Sequence, residues 1–193
     1  MTAARLVACV QVTALVAASA SASTSRATVT DLSDVVLRGA RGEPLALRPL
    51  VQQHRFTAVI FFSSGCPCAA AHRTRLAQLI HDMQPRDVGF VIVDSERHAA
   101  GEPTPAFVAN TDLPLFADDG GRLARRLDAQ FATETFVFDA AGTLRYRGGI
   151  DDDRRSLRPR PTAHLRDELQ SLLAGTAPPY VTTKALGCAL RLR

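Results

Sequence analysis

The sequence predicts an α/β fold: a central mixed sheet with flanking helices and an N-terminal β-hairpin extension. Three observations carry that expectation. Thr57-Ala58-Val59-Ile60-Phe61-Phe62 and Val88-Gly89-Phe90-Val91-Ile92-Val93-Asp94 are unbroken apolar runs, the pattern of strands covered on both faces. Between them Leu76, Leu79, Ile80 and Met83 recur at helical spacing, and Leu165, Leu169, Leu172 and Leu173 do so again near the C-terminus. Thr135-Phe136-Val137-Phe138-Asp139 and Thr143-Leu144-Arg145-Tyr146-Arg147 bracket Ala140-Ala141-Gly142, a hairpin in which Gly142 supplies the positive φ of the turn. A length of 193 residues holds one domain with a full core and is too short for two comfortable ones.

Residues 1–22 read as a cleavable signal peptide. Arg5 is a short positive start, residues 6–16 are mostly apolar, and Ala18-Ser19-Ala20 or Ala20-Ser21-Ala22 offers small residues for cleavage. The apolar run is too short and alanine-rich for a membrane span. Leu6-Val7-Ala8-Cys9 has the composition of a lipoprotein cleavage box, but such a box follows the apolar run and this one precedes most of it. The expected destination is the periplasm or the medium, an oxidising compartment where disulfides persist. Residues 23–31 form a Ser/Thr/Ala-rich lead-in, 32–175 the domain, and 176–193 a tail.

Inside the domain, Val35-Val36-Leu37 and Pro44-Leu45-Ala46-Leu47 flank a glycine-marked turn and form the extra hairpin. Residues 47–54 are expected to be a short helix. The strand at 57–62 and the helix that begins at Pro67 follow, then the strand at 88–94. Residues 103–110 are expected to be helical, Pro114-Leu115-Phe116 a short strand, and 121–127 a short helix. Thr162 is expected to cap a helix running to about Ala174, with Gly175 stopping it. The tail, through Pro178-Pro179 to Lys184-Ala185-Leu186-Gly187-Cys188, shows no periodicity.

Charge narrows the function classes. Removing residues 1–22 takes away Arg5 and no acid, so the formal charge falls only from +4 to +3. Lys184 is the single lysine against 22 arginines, which reads as coding bias. Arg154, Arg155, Arg158 and Arg160 follow Asp151-Asp152-Asp153, so the run reads as a solvated loop and not a nucleic-acid patch. No cofactor is expected.

The chemistry is concentrated at Phe61-Phe62-Ser63-Ser64-Gly65-Cys66-Pro67-Cys68-Ala69-Ala70-Ala71-His72. Pro67 suits the first helical position, which makes Cys66 the N-cap. A sulfur there faces unpaired N–H groups and the positive helix end, and both favour thiolate, the nucleophilic form. Once Cys9 leaves with the signal, Cys66, Cys68 and Cys188 remain. An odd set in an exported protein points to a site and not to structural staples. On a helix, Cys66 and Cys68 would point about 200° apart, so they can meet only if Cys66 stays off the helix. His72 lies four residues after Cys68 on the same face, and Cys66, Cys68 and His72 together can hold a soft metal such as Cu(I). His54, His81, His98 and His164 read as surface or capping positions.

The element order, with residues 61–76, Val91-Ile92-Val93-Asp94 and residues 135–152, resembles the thioredoxin fold. More specifically it resembles the redoxin group, the alkyl hydroperoxide reductase and thiol-specific antioxidant relatives, as exported bacterial members ending in a Gly-Cys tail. The resemblance covers roughly residues 32–190. It implies that Cys66 is the attacking cysteine and that Cys188 folds back as a partner. The second cysteine of the usual Cys-x-x-Cys pair falls at Ala69, and Cys68 comes one residue early. The cis-proline of thioredoxins is missing from Ala132-Thr133-Glu134-Thr135, as it is in peroxiredoxin-like relatives. In the latter comparison Ser63 takes the place of the Thr-x-x-Cys hydroxyl, and Arg125 or Arg126 that of the peroxide-activating arginine.

Three functions stay open at this stage. One is an exported thiol–disulfide oxidoreductase in which Cys66 attacks and Cys68 or Cys188 resolves, with protein or small-molecule thiols and disulfides as partners. The second is a thiol peroxidase that forms a sulfenic acid at Cys66. The third is a non-catalytic Cu(I)-binding module.

Overall fold

The structure is a computed structural model that describes residues 29–96 and 111–192. Strands β1 (Val36–Arg38) and β2 (Pro44–Ala46) form the N-terminal hairpin and lead into helix α1 (Leu47–Gln53). Then come β3 (Phe56–Phe61), α2 (Pro67–Met83), β4 (Val88–Asp94), β5 (Leu115–Ala117) and α3 (Arg122–Leu127). The hairpin β6 (Thr135–Asp139) and β7 (Leu144–Gly148) and helix α4 (His164–Ala174) complete the described elements. The strands join one mixed sheet in the order β2-β1-β5-β4-β3-β6-β7. β3 runs parallel to β4, and β4 to β5, while β6, β7, β1 and β2 join antiparallel.

Alternation along the strands builds two cores. Ala58 and Ile60 of β3 pack with Leu76, Leu79 and Ile80 of α2 and Leu165, Leu169 and Leu172 of α4. Val59 and Phe61 point the other way, toward Leu47 and Val51 of α1 and Leu123 and Leu127 of α3. Each fully buried Leu, Ile or Phe contributes about 1.5–3 kcal/mol by leaving water. Phe61 and Phe136 add an edge-to-face contact at 5.7 Å. The unbroken apolar composition of β3 and β4 thus follows from their central place, with helices over both faces.

Element boundaries follow the sequence reading closely, with one correction. Ala163 and not Thr162 is the N-cap of α4, because the N–H and hydroxyl of Thr162 both go to the Asp152 carboxylate, at 2.7 and 2.9 Å. Gly175 ends the helix at φ 69°, as expected. The signal peptide, its cleavage site, Cys9, His98 and the helix expected over 103–110 lie outside the described residues. Among the described residues no helix is long and apolar enough to cross a membrane.

Candidate active site

β3 delivers the chain to the site, and a tight turn, in which the N–H of Cys66 reaches the Ser63 carbonyl at 3.1 Å, starts α2. Pro67 occupies the first helical position and Cys66 the N-cap, with extended dihedrals of φ −90° and ψ 117°. Because Cys66 stays off the helix, its side chain swings to the side of Cys68. Cys188 arrives from the tail, and the three sulfurs lie within 4.8 Å of one another. All three are free thiols; Cys66 and Cys68 are buried and Cys188 is partly exposed.

The closest pair is Cys66 and Cys188. Their sulfurs are 2.6 Å apart, beyond the ~2.05 Å of a disulfide bond, and the N–H of Cys188 also faces the Cys66 sulfur at 3.4 Å. Burial pushes the Cys66 thiol up, but the Cys188 thiol and the N–H groups of Ala69, Cys188 and Cys68 outweigh it and hold Cys66 below its ordinary value. The N–H groups of Cys68 and Ala69 point at this sulfur without reaching the geometry of a side-chain cap bond. Cys188 shifts the opposite way, to about 11, because its proton is shared with Cys66 and burial adds to the effect. The arrangement favours the thiolate at Cys66 and the thiol at Cys188, with the two sulfurs in direct contact.

Three devices seat the tail. First, its proximal part lies beside β7: the Arg147 N–H donates to Val181 at 3.2 Å and the Thr183 N–H to Arg147 at 3.0 Å. The Thr183 hydroxyl meets the Tyr146 hydroxyl at 2.7 Å. Second, its distal part pairs with the loop before β6, where the Ala132 N–H donates to Cys188 and the Leu190 N–H to Gln130, both at 2.8 Å. This approach requires Gly187, since any Cβ there would collide with the Ala132 carbonyl. Third, Glu96 accepts from the Ser63 hydroxyl at 2.7 Å and lies 3.5 Å from the Arg191 guanidinium.

The docking loop is itself held rigid. Glu134 is buried; one carboxylate oxygen accepts the N–H groups of Gln130 and Phe131 at 2.7 and 3.2 Å, and the other accepts Arg147 at 2.8 Å. Thr133, at the cis-proline position of the resemblance, turns the chain with a trans peptide and φ 72°. That conformation is strained for a β-branched residue, and the Thr133 N–H is fixed on the Phe61 carbonyl at 2.7 Å.

His72 does not join the sulfurs. It is buried at 3% exposure, with Nδ1 at 2.7 Å from the Cys68 carbonyl and Nε2 at 2.9 Å from Asp151. With both ring nitrogens committed, Cys188 replaces His72 beside Cys66 and Cys68. Burial pushes His72 down, but Asp151 and the Cys68 carbonyl outweigh it and raise its pKa. Asp151, opposed by burial, is held low by His72 and Arg75.

The arginine run at 154–160 is exposed, as expected of a solvated loop, but the aspartates before it are not. Asp151 and Asp153 are buried on Arg75 and Arg158, and Asp152 binds Arg158 and Thr162. His164 also departs from a plain surface position, its ring standing edge-on to Tyr180 at 4.8 Å. Neither arginine of the peroxidase reading has a described bond to Cys66: Arg126 binds Asp31 and Asp34, and Arg125 binds the Gly120 carbonyl.

Solved structures share this fold. A hypothetical protein from Sinorhizobium meliloti 1021 superposes with a TM-score of 0.74 at 23% identity, over 86% of this chain and 95% of its own. An uncharacterised conserved protein from Geobacillus kaustophilus gives 0.74 at 22%, over 88% and 94%. The exposed lipoprotein thioredoxin of Streptococcus pneumoniae gives 0.50 at 17%, over 72% and 97%. This chain has the thioredoxin fold. No protein-family model matches the chain, and no curated protein does. On the thioredoxin framework, the Cys66 turn between β3 and α2 and the loop before β6 face each other, with the tail between them.

Sequence reasoning missed Glu96, Glu134, the His72–Asp151 pair and the positive φ of Thr133. Glu96, Thr133 and the His72–Asp151 pair meet partners far away in sequence, His72 and Asp151 being 79 positions apart, and Glu134 is fixed by the fold of its own loop and by Arg147. Gly187 alone carried a local signal, as a glycine directly before a cysteine.

Proposed function

We propose that the protein is an exported, redoxin-like thiol–disulfide oxidoreductase in which Cys66 attacks and Cys188 resolves. The observation that carries this reading is the Cys66–Cys188 pair, a lowered and a raised thiol in contact. The Cys66 thiolate attacks one sulfur of a substrate disulfide, forming a mixed disulfide and releasing the other sulfur as thiolate. Cys188 then loses its proton and attacks the Cys66 sulfur, which frees the second substrate sulfur and closes Cys66–Cys188. The substrate gains two electrons and the protein loses two; the two freed substrate sulfurs take up the Cys188 proton and one from solvent. An external dithiol restores the starting state. Cys66 is only 2% exposed, so attack requires the distal tail to lift.

The peroxidase reading has less support, because the Ser63 hydroxyl is spent on Glu96 and the two arginines are engaged elsewhere. Export rests on residues 1–22 of the sequence. Mass mapping of disulfides in the oxidised protein tests the reading, together with trapping by Cys188→Ser. The expected result is Cys66–Cys188 with Cys68 unpaired, and a Cys66-linked mixed disulfide that accumulates in the variant. A Cys66–Cys68 bridge with undiminished turnover of the variant would overturn it.

A further inference from the structure

We infer that the fully reduced protein binds one soft monovalent metal ion, Cu(I), through the three sulfurs of Cys66, Cys68 and Cys188. Three features argue for it. The donors are all thiolates or thiols, the soft ligand type that suits Cu(I), Zn(II) and iron–sulfur clusters over harder metals. They converge from two independent directions, the start of α2 and the tail, to within 4.8 Å of one another. Among the described residues, the cluster contains no histidine or carboxylate, so it offers three positions and not the closed tetrahedral set that structural Zn(II) takes.

The distances fit a planar three-sulfur site. With metal–sulfur bonds near 2.3 Å, a trigonal arrangement places the sulfurs about 4 Å apart. The Cys66–Cys188 separation of 2.6 Å must then widen, and the widening falls on Cys188, which is partly exposed and sits on the tail. Cys66 and Cys68 need no rearrangement of α2, because the extended N-cap already brings them to one side. Binding releases the protons still held by the thiols and leaves a net negative site at the N-terminal end of α2, where backbone N–H groups and the helix dipole oppose that charge.

The site differs from the Cys66, Cys68 and His72 set that the sequence suggested, since His72 is committed to Asp151. It does not depend on the disulfide exchange proposed above. It does follow the redox state, because a Cys66–Cys188 disulfide removes two of the three donors.

Anaerobic titration of fully reduced protein with Cu(I), against the chromophoric competitor bicinchoninate, tests the inference. One equivalent is expected to bind. Cys188→Ser and Cys68→Ser are each expected to weaken binding by more than the roughly 10- to 100-fold that loss of an outer-shell partner costs. X-ray absorption at the copper edge of the wild-type protein is independent of how the variants fold, and is expected to show three sulfurs and no nitrogen. Substoichiometric binding, a two-sulfur shell, or affinity that Cys188→Ser leaves intact would each overturn it. Failure here alongside a normal Cys66–Cys188 disulfide sinks the metal site and leaves the oxidoreductase reading standing.

Discussion

Oxidation of Cys66 and Cys188 should stabilise the whole domain, and the size of the effect identifies the bridge. The two residues are 122 positions apart, so their disulfide closes a loop containing most of the sheet. In the chain-entropy relation, a loop of that length removes about 16 cal/mol/K from the unfolded ensemble, or about 5 kcal/mol at 25 °C. A Cys66–Cys68 bridge closes a minimal loop of three residues and by the same relation yields only about 1.6 kcal/mol. For a domain of this size, 5 kcal/mol corresponds to roughly 10–20 °C in Tm. The assay is guanidinium and thermal unfolding of the oxidised protein, the phosphine-reduced protein and Cys188→Ala, each followed by circular dichroism. The expected order is oxidised well above reduced, with Cys188→Ala insensitive to reductant. A gap of about 1.6 kcal/mol or less would refute the assignment of Cys188 as the long-lived partner.

Other consequences are equally direct. Cys188→Ala removes the thiol that donates to Cys66, so the pH midpoint of Cys66 alkylation by iodoacetamide should rise relative to the wild-type protein; an unchanged midpoint would mean that the helix N–H groups alone set it. Asp151→Asn breaks a buried pair and should cost about 3–5 kcal/mol in denaturant titrations. His72 is raised in the folded state, so its contribution is full below its unfolded value near 6.5 and is lost as pH rises through the folded value. Asp151 is lowered, so its contribution holds above its unfolded value near 3.9 and is lost as pH falls through the folded one. The wild-type advantage over Asp151→Asn should therefore peak between about pH 4 and 6.5, and a flat difference would contradict the pairing. Gly187→Val should unseat the distal tail, speeding alkylation of Cys66 and slowing formation of the long-range disulfide, both read by mass spectrometry.

Local chemistry was legible in the sequence where the physics is local. The apolar runs at 57–62 and 88–94 announced central strands, because burial on both faces leaves no place for polar alternation. Pro67 fixed the start of α2, and so placed Cys66 at the N-cap. The helical angle argument made the meeting of Cys66 and Cys68 conditional on Cys66 staying off the helix, and that condition holds. His72 was misread because a lone histidine on a first turn gives no hint of an aspartate at 151. The acidic run misled for the same reason, since burial of Asp151 and Asp153 depends on Arg75, contributed by another element. Thr133 shows a further limit: composition flagged the absent proline, but not that a strained threonine would make the turn.

The tail has two separate moorings, and their separation sets a timescale. Thr183 is tied to β7 through backbone and hydroxyl, and the stretch carrying Cys188 is held separately, by two backbone bonds to the loop before β6, the Cys188 N–H on the Cys66 sulfur and an exposed Arg191 contact. If only the outer mooring slips, Cys188 swings on a leash of five residues, at most about 17 Å when extended. Within that radius its sulfur stays at an effective concentration of millimolar or more toward Cys66. A dilute external thiol loses that race. The protein would then let go of each partner on its own internal clock, however crowded with thiols its surroundings become.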